Sequence, residues 1–189
     1  MDERRPNLAD PAVLDALAHP VRLDVLGFLM SSGPATASDC ARAVGDTPSN
    51  CSYHLRVLAR HGLVEPAEGA DGRTRPWQAM ITGFTNDVDP EDRAGVDAML
   101  AAALELDHHL AREHLRTRAS LAPEWQGTDV HAQYGLTASP DELHDLLARI
   151  DAIVRPFIAP ARADGDVPGD AEHVHLTLTA FPRPQFGRR

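Results

Sequence analysis

The stretch Thr47-Pro48-Ser49-Asn50-Cys51-Ser52-Tyr53-His54-Leu55-Arg56-Val57-Leu58-Ala59-Arg60-His61-Gly62 decides the reading of this chain. Threonine is a good N-cap. Proline suits the first helical position, where its missing N–H costs nothing, and glycine after the last turn is a natural stop. A helix from Pro48 to His61 is expected. Within it Cys51, Leu55 and Leu58 recur at i, i+4 and i+7 and form one buried stripe. The positions Ser49, Asn50, Ser52, Tyr53, His54, Arg56 and Arg60 all carry groups that can hydrogen-bond. Such a helix is anchored along one side and offers polar side chains along the other.

Three helices are expected upstream. Asp10 caps the first, Pro11 to Ala18, and His19-Pro20 breaks it. The second, Val21 to Met30, is apolar almost all round (Val21, Leu23, Val25, Leu26, Phe28, Leu29), as a central helix must be. Thr36 or Ser38 caps a short third helix that runs through Val44 and stops at Gly45. Downstream, Leu63 to Pro66 and Thr74 to Ile81 read as strands around a Gly-rich tip, Glu68 to Arg73. Helix, helix, short helix, turn, polar-faced helix and β-ribbon is the order of a winged helix-turn-helix. A helix that enters the major groove needs both an apolar anchor and short polar groups for base edges and phosphates. Double-stranded DNA is therefore the expected partner. Arg73 and Arg75 beside the hairpin tip suit phosphates or the minor groove.

Three blocks in order resemble the ArsR-type winged-helix regulators: Asp15 to Leu26 with its Ala18-His19-Pro20-Val21-Arg22 centre, Thr47 to Leu58, and His61-Gly62-Leu63-Val64. The resemblance covers about residues 10–85. It implies a homodimer that binds a palindromic operator, as a repressor released by a signal. Carried over by position, Thr47 opens the recognition helix and the base readers are Ser49, Asn50, Ser52, Tyr53 and His54, with Arg56 and Arg60 toward phosphates. His54 has a second reading, packing against its own domain. Arg22 serves the junction of the first two helices or contacts a phosphate.

The rest of the chain lies outside the resemblance. After a polar linker, a helix from Pro90 to Leu121 is expected. Its Met99, Ala103, Leu106 and Leu110 make an a/d seam for dimerisation. Beyond Pro123, Val130 to Leu136 alternates as a strand, Ser139-Pro140-Asp141-Glu142 is a capping box for an amphipathic helix, and Val174 to Ala180 alternates as a second strand. The expected fold is mainly α with small β. It has a winged helix-turn-helix at 1–85, a long dimerisation helix at 86–122 and a small α+β unit at 123–189 for dimerisation or a small-molecule effector.

Composition sets the outer bounds. The net charge of −10 excludes a protein that coats nucleic acid, but not one that reads it locally. Residues 1–80 carry eight Arg and ten acidic residues, whereas residues 81–189 carry ten Arg and eighteen acidic residues, so the acidity lies outside the reading head. That acidic half also suits docking to another protein. No apolar run spans a membrane and the N-terminus has no signal-peptide core, so a cytoplasmic protein is expected. Cys40 and Cys51 lack metal-site spacing and read as buried thiols, with a redox or metal role as the alternative.

A metal-responsive repressor is the alternative within this class. His109 and Glu113, at i and i+4 in the Asp107 to His114 cluster, are its candidate ligands, and zinc needs three or four that converge. His173 and His175 share one strand face. No cofactor is implied. The absence of a phosphate loop, a nucleophile elbow or a His-Glu-x-x-His motif speaks against an enzyme.

Overall fold

The computed structural model describes residues 10–67, 75–81, 93–158 and 167–183. The element order is α1 (Pro11–Leu17), α2 (Pro20–Ser32), α3 (Ala37–Val44), α4 (Pro48–Arg60), β1 (Val64–Pro66), β2 (Trp77–Ala79), α5 (Arg93–Thr117) and α6 (Pro140–Val154). The protein is mainly helical, with one small antiparallel sheet after the helix-turn-helix region. Among the described residues, no helix is long and apolar enough to cross a membrane.

Local chemistry sets the helix ends. Asp10 Oδ1 accepts the Ala12 N–H at 2.9 Å, and Pro11 follows at the first helical position. Thr36 and Asp39 cap α3 reciprocally: Thr36 Oγ1 accepts the Asp39 N–H at 3.2 Å and Asp39 Oδ2 accepts the Thr36 N–H at 3.1 Å. Gly45, at φ 69°, then closes α3 in the left-handed conformation. The tight turn to Thr47 starts α4.

The core is built from buried side chains of α1, α2, α3, α4 and α5, and α6 contributes none. Leu14, Leu17, Leu26, Leu29, Leu55, Leu58, Leu63 and Met99 are its largest fully buried side chains. Helix α2 is central and touches α1, α3, α4, α5 and β2. β1 and β2 pair with Val64 opposite Ala79, Glu65 opposite Gln78 and Pro66 opposite Trp77. Trp77 also exchanges backbone hydrogen bonds with Ala35, at 2.8 and 2.9 Å, which ties the wing to the turn before α3. The hairpin tip, with Arg73, and the expected linker lie outside the described residues.

Two expectations change. Met99 and Leu106 of the dimerisation seam are buried in the chain's own core, and Ala103 and Leu110 pack against it. The reason is that α1 and α2 already lie on that face of α5. Leu100, Leu104 and Leu115 are the large apolar side chains that α5 leaves exposed. The two C-terminal strands are the second change: residues 130–136 and 174–180 are not in strands. Their alternation is real, but a strand needs a ladder partner. Among the described residues neither stretch makes a backbone–backbone hydrogen bond.

Replacing Leu58, which α4 buries completely, by Ala should lower unfolding free energy by about 2–5 kcal/mol. Denaturant unfolding checks this; a loss under about 1 kcal/mol would mean that α4 is not anchored as described.

Candidate nucleic-acid interface

Helix α4 has two clearly different sides. Cys51, His54, Leu55, Val57 and Leu58 are buried, whereas Ser49, Asn50, Tyr53, Arg56 and Arg60 are exposed and Ser52 is half-buried. Ser49, Tyr53, Arg56 and Arg60 follow i, i+4, i+7 and i+11. At 3.6 residues per turn they line up along one side, over roughly 16 Å of helix. The result is a polar and cationic stripe opposite an apolar anchor.

The N-terminus of α4 is built by short hydrogen bonds. Thr47 Oγ1 accepts the Asn50 N–H at 3.2 Å. Asn50 Nδ2 donates to Asp46 Oδ2 at 2.6 Å, and the Thr47 N–H donates to Asp46 Oδ1 at 2.6 Å. Thr47 and Asn50 therefore hold the helix start, while Ser49 and Tyr53 beside them stay open. The carboxylate of Asp46 satisfies part of the positive end of the helix dipole.

The base-reading expectation for His54 is corrected. Only 3% of the residue is exposed, and its ring lies 4.7 Å, centroid to centroid, from that of His19. It cannot reach a base edge. Instead it meets the Tyr53 ring edge-on at 5.3 Å and so braces the exposed phenol from below. Arg22 is also placed: its guanidinium donates to the Asp15 carbonyl at 2.8 Å and to the Ala16 carbonyl. It caps the C-terminal end of α1 and fixes the α1–α2 corner on which His19 sits.

Arg75 is exposed just before β2, and the Ala67 N–H donates to the Pro76 carbonyl at 2.9 Å where the ribbon leaves the sheet. Gln78 Nε2 donates to Glu65 Oε1 at 2.8 Å across the strands. Cys40 and Cys51 are fully buried behind the stripe. Burial, then the neighbouring Cys51, pushes the Cys40 thiol up to about 11, and burial also raises Cys51. Neither presents a thiolate.

Asp107, Glu113 and His114 of α5 have local partners. Asp107 Oδ1 accepts from His175 Nε2 and from Thr177 Oγ1, each at 2.8 Å. Glu113 is bound by Arg116, and His114 Nε2 lies 3.5 Å from Asp129. Among the described residues no three His, Cys, Asp or Glu groups converge as metal ligands, and His109 and Glu113 stand outside any such group.

A family model described as a helix-turn-helix domain matches residues 17–67, from the end of α1 to just past β1. No curated protein matches the chain. The matched span, the buried anchor of α4 and the two-stranded ribbon together define a helix-turn-helix DNA-binding domain of the winged kind.

The tilted His19–His54 ring pair is expected to make the domain acid-sensitive. Burial first, and then the nearby Arg22 guanidinium (with His19 ahead of it for His54), lowers both pKa values from the usual 6.5. The folded state therefore resists protonation that the unfolded chain accepts. Stability is fully present above 6.5 and is lost as pH falls from there toward the lowered pKa. The melting temperature should drop in that window, and His54→Leu should flatten the drop; parallel wild-type and variant profiles would remove the stack as its cause.

Proposed function

We propose that this protein is a transcription regulator that reads a palindromic operator as a homodimer, acting as a repressor of the ArsR type whose grip on DNA is set by a small-molecule signal. The observation that carries this reading is the exposed stripe Ser49, Tyr53, Arg56 and Arg60 on a helix whose opposite side is buried. In the major groove, Ser49 and Tyr53, near the helix start, meet base edges, and Ser52 and Asn50 flank them. Arg56 and Arg60, one and two turns further on, meet the phosphate backbone, where Arg can bond bidentately. Arg75, exposed just before β2, extends the cationic track along the wing.

The working division is a reading head at 1–85, a connecting helix at 86–122 and a C-terminal effector and dimerisation region at 123–189, in a cytoplasmic protein. Two reading heads must be held about one helical turn of DNA apart to match half-sites roughly 34–36 Å apart. The exposed Leu100 and Leu104 of α5 are apolar contacts available for that pairing.

Fluorescence anisotropy on DNA from the gene's own promoter region tests this. Arg56→Ala combined with Arg60→Ala should weaken binding on every sequence. It should also reduce the slope of log K against log salt by about 1.8, close to 0.9 per lost phosphate contact. Tyr53→Ala should instead weaken the operator more than random DNA. An unchanged salt slope in the double variant would show that the stripe is not the DNA-facing side.

A further inference from the structure

We propose that Asn50, oriented by Asp46, reads an adenine in the major groove, so that these two residues together set one base of each operator half-site. The inference rests on the regulator reading above. It adds which base the start of α4 selects and what makes the selection.

Asp46 is fixed before it meets Asn50. Its backbone N–H donates to the Ala41 carbonyl at 2.9 Å, part of the closure of α3 around Gly45. Its carboxylate is tied at both oxygens: Oδ1 accepts the Thr47 N–H and Oδ2 accepts from Asn50 Nδ2, each at 2.6 Å. Asn50 is fixed in turn. Its backbone N–H donates to Thr47 Oγ1 at 3.2 Å, so main chain and side chain are both anchored. Asp46 is half-buried, whereas Asn50 is exposed.

The chemistry of this pair decides which way the carboxamide faces. An amide has an acceptor end and a donor end of nearly the same shape, and a carboxylate only accepts. The end against Asp46 must therefore be Nδ2. Oδ1 is left on the other side, and among the described residues it has no hydrogen-bond partner. Nδ2 keeps its second N–H. Asn50 thus offers one acceptor and one donor, in an orientation already set before DNA arrives, so little side-chain freedom is left to lose on binding.

One base matches that pair. In the major groove adenine presents the N7 acceptor beside the N6 amino donor. Guanine presents two acceptors, N7 and O6, thymine an acceptor and a methyl group, and cytosine the N4 donor alone. Guanine would set O6 against Oδ1, lone pair against lone pair, with the Asp46 charge adding to the repulsion. The same charge favours the adenine amino group. Asn50 is also in the right place. It lies in the first turn of α4, where a groove-bound helix meets base edges, and three residues before Tyr53, its surface neighbour.

Selection of the full chain on random-sequence duplex DNA supplies the operator, and fluorescence anisotropy then measures Kd on it. Wild type should enrich an adenine at one position of each half-site. Guanine there should raise Kd by roughly tenfold to a hundredfold, and 7-deazaadenine, which lacks only the N7 acceptor, by roughly tenfold. Asn50→Ala should abolish most of both penalties at that position. In Asp46→Asn the neighbour can donate as well as accept, so the Asn50 carboxamide can turn over and the adenine-to-guanine ratio should fall. A merely loosened helix start would weaken every sequence alike and leave that ratio unchanged. An unchanged ratio in either variant, relaxation by Asn50→Ala at a base other than adenine, or a wild type indifferent to 7-deazaadenine at every adenine would each overturn the inference. If a variant does not fold, the 7-deazaadenine result on wild type decides. A chain that enriches no sequence would bring down the regulator reading and this inference with it, whereas an operator read without adenine overturns this inference alone.

Discussion

The burial of one side of α4 governs what the other side can do. Cys51, Leu55 and Leu58 are fully enclosed by the core. Helix α4 therefore has a fixed rotation about its own axis. A side chain that reads a base edge must be placed to within a fraction of an ångström, and a helix free to roll would lose that placement. The anchor is shared: α1, α2 and α3 all touch α4, and β1 follows it directly. The capped turn from Gly45 to Thr47 then sets where α4 begins, and Arg22 holds the α1–α2 corner against which His54 lies. Tyr53 gains its orientation from this chain of contacts, through the ring of His54 beneath it.

Charge is distributed to match. The chain as a whole is acidic, and the cations that face outward on α4 are Arg56 and Arg60. Asp46 is the exception, a carboxylate at the start of α4. Its charge is spent on the backbone and on Asn50. The N-terminus of α4 is thereby organised by its own chain, and the open cations of the stripe are the arginines further along.

The helix boundaries were legible because each is written in a few local residues: Asp10-Pro11, Gly45, Thr47-Pro48 and Ser139 with Glu142 act where the sequence places them, and of the two candidate caps Thr36 and Ser38 it is Thr36, with Asp39, that caps α3. The stripe on α4 was legible for the same reason. His54 was harder, although a signal was present. At 100° per residue it falls beside Cys51 and within the arc bounded by Val57 and Leu55, all buried. Its polar ring hid a core position. The α5 seam was misplaced because spacing identifies an apolar side and not what covers it; α1 and α2 reach it first. The C-terminal alternation was likewise correct as a pattern, but pairing is a property of the partner strand, and among the described residues none pairs with it.

The C-terminal segment gives the two ends of the molecule a physical connection. His173 lies against Ser32 and Phe28 of α2, and α2 touches both α3 and α4. Asp24, one turn earlier on the same helix, has its carboxyl pushed up by burial, with His109 and His175 acting in the opposite sense. Any event that moves residues 173–177 therefore changes contacts on the helix that supports α4, and changes the charges around a half-buried acid in the core. Such contacts are polar, few and exposed, so they are weak enough to break without unfolding the domain. Helix α2 thus joins residues 173–177 to α4 by direct contact on both sides.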